Sequence, residues 1–381
     1  MRTPAVRAVF VGFAAAAVLF ATGCATVAKQ LRPVTIPATH IGDHLYLQLD
    51  LGGRRRSMLF DSGATQSFAA IAGCAFSSRT LPVAYRGEGL GSLAFDCADF
   101  GPGSFDGYPF DGLLGFDFIR KAPVEVDYDR RAIRVGVAPL GPGGSGTLKI
   151  TLLEDDSGGR IPIVEMTLVS GHKARTGRFI LDTGARGTLA VSRRFAAQAG
   201  LDDRQAPEAL VGGGGAVVKE LRARLLRIES FQLGPYRLDR PIVMVAATDR
   251  GIFSVPEFDG VIGGGLLNRF NVTLDYQHSL VRLRPSRKFG SPFTFDQSGM
   301  FLIATGSDYK TIVVRDVMPN SPAARAGIKA GAVIERVAGH DVRREGLEWV
   351  RWRLQNSGKL TIRFRHGGRA DTVTTTLRPL V

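Results

Sequence analysis

Phe179-Ile180-Leu181-Asp182-Thr183-Gly184-Ala185 runs three apolar residues straight into an acid, a hydroxyl and a glycine. A carboxylate directly behind an apolar strand is costly to bury and is usually avoided. The chain does it twice, because Met58-Leu59-Phe60-Asp61-Ser62-Gly63-Ala64 has the same order. Two strand-then-acid turns on one chain suggest two carboxylates meant to meet.

The resemblance between the two stretches extends outward. Leu45 to Leu51 alternates apolar and polar like a half-buried strand, Gly52-Gly53 supplies a turn, and the returning strand leads into Asp61. Ile161 to Val169, Ser170-Gly171 and Arg178 to Leu181 repeat that order before Asp182. Glycine-rich tips follow each acid, at Gly87, Gly89 and Gly91 and at Gly212, Gly213, Gly214 and Gly215. Apolar turns come next, Asp111-Gly112-Leu113-Leu114-Gly115 and Asp259-Gly260-Val261-Ile262-Gly263. Sixteen residues beyond each of those aspartates stands another shared pair, Asp127-Tyr128 and Asp275-Tyr276. Matched offsets of this kind point to an internal duplication, with one copy in 35–138, a Gly/Pro joint in 139–146 and the second copy in 147–285. Gly141, Gly143 and Gly146 in the joint have dinucleotide-fingerprint spacing, but no helix follows, so the phosphate reading is rejected.

Composition sets the class. The 381 residues, 44% hydrophobic and 22% charged, suffice for two or three domains with proper cores. Forty-seven glycines and few long helical windows favour a turn-rich, mostly β architecture. The net charge is +14, yet the Arg residues are scattered, as in Arg54-Arg55-Arg56 at an apparent hairpin turn. A solvated basic surface explains this better than a nucleic-acid site, and none is expected.

An apolar run into Asp-Ser/Thr-Gly-Ala, then a glycine-rich tip and a turn of two apolar residues and Gly, resembles the retropepsin-like and pepsin-like aspartic proteases. The resemblance spans residues 35–285, and lobes this small are similar to two retropepsin subunits fused in tandem. One Asp-Ser/Thr-Gly arises by chance about 0.1 to 0.2 times in a chain of this length. Two copies inside a matched duplication form a far more specific signal. The resemblance implies a pseudo-twofold, mainly β double barrel with Asp61 and Asp182 as the catalytic dyad. Peptide hydrolysis needs a base to activate water and an acid to protonate the departing nitrogen. Two adjacent carboxyls sharing one proton supply both, as in the aspartic-protease dyad that is the standard illustration of this effect. By the same resemblance Ser62 and Thr183 tie the turns together, Gly63 and Gly184 let amides approach the carboxylates, and the two glycine tips are flaps over an extended substrate. Asp111, Asp127, Asp259 and Asp275 read better as turn caps or salt-bridge partners.

Other chemistries find little support. The six histidines show no two-His metal spacing on a helix, no Gly-x-Ser-x-Gly elbow occurs, and neither Cys74 nor Cys97 has a convincing His neighbour. No metal or cofactor is expected.

Met1 to Arg7 is basic and Ala8 to Ala28 uncharged, a secretory signal pattern. Leu19-Phe20-Ala21-Thr22-Gly23-Cys24-Ala25 resembles a bacterial lipobox, implying a signal segment 1–23, lipidation of Cys24 and a linker 24–34. Cleavage near Ala25 or Ala28 and retention as an uncleaved anchor stay open. Each places the folded part outside the cytoplasm, on the periplasmic side of a bacterial membrane. In that oxidising setting Cys74 and Cys97 are either a disulfide or two buried thiols.

After Pro285 the pattern changes. Phe301 to Ile303 and Thr311 to Val317 read as strands, and Ser321-Pro322-Ala323-Ala324-Arg325-Ala326-Gly327 as a capped helix start. A strand over Val333 to Val337 and a helix over Leu347 to Leu354 follow. Residues 290–381 thus resemble a bacterial PDZ domain, a β-rich α+β fold. The resemblance implies peptide binding by strand addition, with the carboxylate-binding loop at Ser298, Gly299, Met300 and Phe301. Met300 stands where that family often has a second glycine. The whole describes an exported, membrane-tethered aspartic endopeptidase, a monomer with a pseudo-dimeric site. It acts on peptide or protein substrates, and the PDZ module recognises peptides or regulates. The alternative is a peptide-binding scaffold built from the same domains without turnover.

Overall fold

Leu45, Leu47, Leu49 and Leu51 are all buried, so the alternation read from the sequence is that of a strand with one face in the core. The computed structural model describes residues 33–71, 77–98, 107–171, 173–201, 205–212 and 221–381. The signal segment, Cys24, Cys74 and Gly213 to Gly215 lie outside the described residues.

The first lobe holds β1 (Val34–Ile41), β2 (His44–Leu51), β3 (Arg54–Phe60), β4 (Phe68–Ala69), β5 (Ser78–Tyr85), β6 (Glu88–Cys97) and β7 (Gly112–Leu114). It continues with α1 (Phe116–Ile119), β8 (Val124–Asp127) and β9 (Ala132–Val135). Gly52 and Gly53, with φ of +55° and +81°, make the turn between β2 and β3. Arg54 to Arg56 are therefore strand residues paired with Leu51, Asp50 and Leu49, and the turn expected at the arginines lies just before them. The order β2-β3-β7-β4-β6-β5 closes on itself through Asp50↔Ala84 and Leu51↔Val83. That closure removes exposed strand edges.

The second lobe holds β10 (Thr147–Lys149), β11 (Thr151–Glu154), β12 (Arg160–Ser170), β13 (Lys173–Leu181), β14 (Leu189–Val191), α2 (Arg193–Ala199), β15 (Glu208–Gly212) and β16 (Leu221–Arg227). Then come β17 (Ser230–Leu233), β18 (Tyr236–Asp239), β19 (Ile242–Ala246), β20 (Gly260–Ile262), α3 (Gly264–Leu267), β21 (Phe270–Asp275) and β22 (Leu280–Pro285). The lobes share a sheet in the order β10-β22-β21-β8-β9-β1, joined at Val272↔Val126. One apolar cluster runs through both and contains Phe60, Phe95, Phe179, Phe231 and Phe270, all fully buried. Each such side chain contributes about 1.5–3 kcal/mol of transfer free energy.

The C-terminal module holds β23 (Met300–Thr305), β24 (Thr311–Val317), α4 (Pro322–Arg325), β25 (Val333–Val337), β26 (His340–Asp341), α5 (Val342–Leu354), β27 (Gly358–His366) and β28 (Arg369–Leu377). Its sheet order is β23-β24-β25-β27-β28, around a core of its own. The Ser321 hydroxyl accepts from Ala324 N at 3.2 Å and Pro322 takes the first turn, the cap expected from the sequence. The second helix starts earlier than expected, at Val342, and is interrupted at Gly346, whose φ is +85°. Arg269 fastens the segment before this module to the second lobe. Its guanidinium donates to the carbonyls of Lys288 (3.2 Å), Phe289 (3.3 Å), Ser291 and Pro292 (3.2 Å), and lies 3.5 Å over the Phe293 ring.

Candidate active site

Each acid is placed by two parallel strands. β3 pairs with β7 (Phe60↔Leu114) and β13 with β20 (Leu181↔Ile262). The next amides continue the ladder, Asp61 N to Leu114 O and Asp182 N to Ile262 O, both 3.0 Å. The expected apolar turns after the glycine tips are thus short strands, each needed as a parallel partner. Asp111 and Asp259 end-cap that pairing: they accept from Ser57 N (2.8 Å) and Arg178 N (2.9 Å). Asp127 and Asp275 close β8 and β21 and accept from Arg130 N (2.9 Å) and His278 N (3.2 Å). All four serve turns.

The two acid turns meet back to back. The Ser62 hydroxyl donates to Leu181 O (2.7 Å) and accepts from Thr183 N (3.0 Å). The Thr183 hydroxyl donates to Phe60 O (2.8 Å) and accepts from Ser62 N (3.0 Å). Ser62 is 0% and Thr183 1% exposed, so this four-bond knot is dry. Above it the Asp61 and Asp182 side chains are hydrogen-bonded to each other. Asp61 Oδ1 accepts from Gly63 N (3.0 Å) and Asp182 Oδ1 from Gly184 N (2.8 Å). A Cβ built on Gly63 would overlap the Asp182 carboxylate, and one on Gly184 would overlap that of Asp61. Only glycine permits this crossed approach.

The electrostatics follow from the approach. Burial, the Asp182 charge and the hydrogen bond to Asp182 push the Asp61 carboxyl well above its ordinary range. Burial also raises Asp182, but the bond from Asp61, the Gly184 amide and nearby His44 hold it back. The pair keeps one proton, which belongs to both carboxyls together.

Sequence reasoning missed the hairpin tips that wedge the turns in place. At the β1–β2 tip, Asp43 Oδ2 accepts from Gly187 N at 2.8 Å, in the loop after Asp182. In mirror fashion Asp155, at the β11–β12 tip, hydrogen-bonds Thr65 after Asp61. The same first-lobe hairpin carries His44 toward Asp182, and no local motif announces either residue. Tyr276, of the duplicated Asp-Tyr pair, points its hydroxyl at Ser62 O (3.5 Å) and stacks on Phe116 (5.7 Å between centroids).

His40, on the same hairpin, has a cost at low pH. Burial, with Lys288 and Arg131 nearby, lowers its pKa from 6.5 to about 4. As the pH falls from 6.5 toward 4, the unfolded chain takes up a proton that the folded chain refuses, so stability drops. At about 1.4 kcal/mol per pH unit, the drop from 6.5 to about 4 is worth up to about 3.5 kcal/mol. His40→Leu is expected to flatten urea-midpoint loss between pH 7 and 4. An unchanged slope would show that His40 is not the group responsible.

The two glycine tips are not equivalent, contrary to the expectation of paired flaps. β5 pairs with β2 (Asp50↔Ala84), and β6 pairs in parallel with β4 (Phe68↔Asp96). In the second lobe those two roles belong to β17 (Val169↔Ser230) and β19 (Leu189↔Val243). The turn carrying Gly87, Gly89 and Gly91 therefore corresponds to the Gly234 turn between β17 and β18. Gly91 faces Lys121, just past α1, whose Nζ donates to Ser92 O at 2.6 Å. The β15–β16 hairpin, to which Gly212 belongs, has no counterpart among the described residues of the first lobe. It packs against the C-terminal module instead. β15 lies beside β23, Arg222 pairs with Asp316 at 3.0 Å, and Met318 joins the cluster formed by Ala209, Ala223 and Leu225.

Of the remaining expected residues, Cys97 is disulfide-bonded at the end of β6. Gly299, with φ +79°, precedes β23, whose first residues are Met300, buried, and Phe301, half-buried.

Residues 165–266 match the family model for aspartyl proteases, and residues 313–364 match that for PDZ domains. The crystal structure of the aspartic proteinase from Irpex lacteus aligns with 67% of this chain and 98% of its own, at 13% identity and a TM-score of 0.43. A photosystem II D1 C-terminal processing protease aligns with 22% of this chain and 23% of its own, at 26% identity and a TM-score of 0.21. No curated protein sequence matches. The protease match contains Asp182 and not Asp61, so the pairing of the two acids rests on the geometry described above.

Proposed function

We propose that this chain, which carries an aspartyl protease domain followed by a PDZ domain, is an exported aspartic endopeptidase using Asp61 and Asp182. The observation that carries the reading is the crossed pair of carboxylates, hydrogen-bonded to each other over the Ser62–Thr183 knot. A water held between them would lose a proton to whichever carboxyl of the pair is ionised as its oxygen bonds to the substrate carbonyl carbon, while the other carboxyl gives its proton to the carbonyl oxygen. The proton taken from water then passes to the departing nitrogen as the C–N bond breaks, and a hydroxyl of the collapsing gem-diol returns one proton to the pair. The β15–β16 hairpin is the flap, and the PDZ domain packed on it is placed to influence which chains enter. The basic leader and the Cys24 lipobox support export and a lipid anchor.

Residues 30–381, expressed without the leader, are expected to cleave an unfolded protein between pH 3 and 7 and to be blocked by pepstatin-like inhibitors. Absence of cleavage throughout that range would favour the non-catalytic peptide-binding alternative.

A further inference from the structure

β2 changes neighbour along one edge. β1 pairs with it over Ala38↔Leu47 to Ile41↔His44, and nearer the start of the chain β1 lies on β9 instead, at Pro37↔Ala132. β5 takes over that edge of β2 at Asp50↔Ala84. The fork between β1 and β5 opens a cavity of about 290 Å³, whose lining includes Pro37, Gln48, Asp50, Arg55, Tyr85 and Arg86. Asp50 stands opposite Arg55 on β3. Arg55 precedes Asp61 by six residues of extended chain, so the cavity lies about 20 Å along the strand from the dyad. It is no part of the site described above.

The charges around this cavity are not spent on one another. Arg56, on the opposite face of β3, pairs with Asp111 at 3.6 Å. Among the described residues, the side chains of Arg55, Arg86 and Asp50 make no ion pair. Both arginines are exposed, while Gln48, Asp50 and Tyr85 are half-buried. The Arg86 guanidinium lies 5.4 Å from the centre of the Tyr85 ring. Arg86 and Gly87, with φ of +50° and +83°, form the two-residue turn between Tyr85 and Glu88, where Asn or Gly is favoured at the first position. The turn itself does not call for an arginine. Two guanidiniums and one carboxylate around a hollow complement a group that carries a phosphate beside an ammonium.

The chain supplies the source of such a group. It enters the first lobe at Val34, ten residues after Cys24, and the cavity begins at Pro37 on that same strand. Ten residues span at most about 35 Å, so a lipid on Cys24 keeps β1 close to a bilayer. The net charge of +14 adds attraction to a phosphate-bearing surface.

We propose that this cavity binds the headgroup of a bilayer lipid bearing a phosphate and a primary ammonium, with Arg55 and Arg86 on the phosphate and Asp50 on the ammonium, and that this contact lays the first lobe on the membrane. The inference rests on the export and lipid-anchor part of the proposed function and not on the dyad. Residues 30–381 contain the whole compact unit Arg32–Val381 and no lipid, so their sedimentation with vesicles at physiological salt reports the cavity alone. Vesicles of phosphatidylcholine with phosphatidylethanolamine are expected to bind about fivefold or more tightly than phosphatidylcholine alone, whose trimethylated nitrogen has no hydrogen to give Asp50. Asp50→Asn should erase that preference. Arg55→Gln and Arg86→Asn should each weaken binding about fivefold, and asparagine suits the turn at Arg86, so a misfolded variant is not the explanation. Lys359→Gln with Arg369→Gln removes two exposed charges from the C-terminal module and should change binding by less than about twofold. Equal binding to both vesicles, or as large a loss from the Lys359 and Arg369 pair as from Arg86→Asn, overturns the proposal. So does soluble phosphoethanolamine binding as tightly as the vesicles, which would make the cavity a site for a free small molecule. The anchor is read separately, from the mass of the full chain recovered from membranes. A lipidated chain without the headgroup preference overturns this inference and leaves the anchor standing.

Discussion

Asp61→Asn and Asp182→Asn, each alone, are expected to lower cleavage by about 10³-fold or more, since either removes one partner of a coupled acid–base pair. The asparagines keep the shape and the acceptor toward Gly63 N or Gly184 N, so neither should unfold the protein. The double variant should be little worse than either single one, because residues acting as a unit do not add. Wild-type activity should also fall as the pH rises through the elevated titration of the pair, where the shared proton leaves. Stability moves the same way. The folded pair keeps a proton that the unfolded chain would lose, so its contribution is present at acid pH and disappears as the pH rises past that titration. Asn at either position should remove this dependence. Substantial activity in both single variants would dismiss the dyad, whatever the fold.

How much of this could be read from the chain depended on range. The acid turns and the Ser321-Pro322 helix start are short local signatures in which each residue type serves a neighbour a few positions away. Sequence reports such things well. Gly87 to Gly91 and Gly212 to Gly215 read alike in the sequence because they sit at similar distances from their acids. Equal spacing reports length and says nothing of partner strands, and pairing assigns the first tip to a different hairpin. Asp43 at Gly187 and Gly107 at Leu347 join residues far apart in the chain through single contacts, and no periodicity encodes those. Asp296 was hidden differently. It reads as an ordinary loop acid, and no local motif marks that it accepts from Ser298 N and Gly299 N.

On the proposed reading, the hairpin present in one lobe gives the C-terminal module a part at the flap. A flap must open to admit substrate and close to exclude water. Here the β15–β16 hairpin is packed on β23 and β24, while the opposite lobe reaches the same module through Gly107. The module therefore touches both lobes. The Arg222–Asp316 pair is partly exposed and contributes little by itself. The apolar packing of Met318 against Ala209, Ala223 and Leu225 is the stronger attachment.

The deepest loss of stability is expected at the knot. Thr183→Val keeps the volume but leaves Ser62 N without its acceptor and Phe60 O without its donor, both in a fully buried place. Unsatisfied buried groups cost about 1–3 kcal/mol each, so about 2–6 kcal/mol is expected, a large share of a typical domain's 5–15 kcal/mol. Ser62→Ala should act alike through Leu181 O and Thr183 N. The pair should be strongly non-additive. Once one hydroxyl is gone the turns can separate, and water can reach the groups the second would have served, so the double variant should lose clearly less than the sum. Urea unfolding of the three proteins measures this directly. Additive single losses, or a Thr183→Val loss below about 1 kcal/mol, would mean that the two turns are held by the surrounding sheet and that the four hydrogen bonds merely record their closeness.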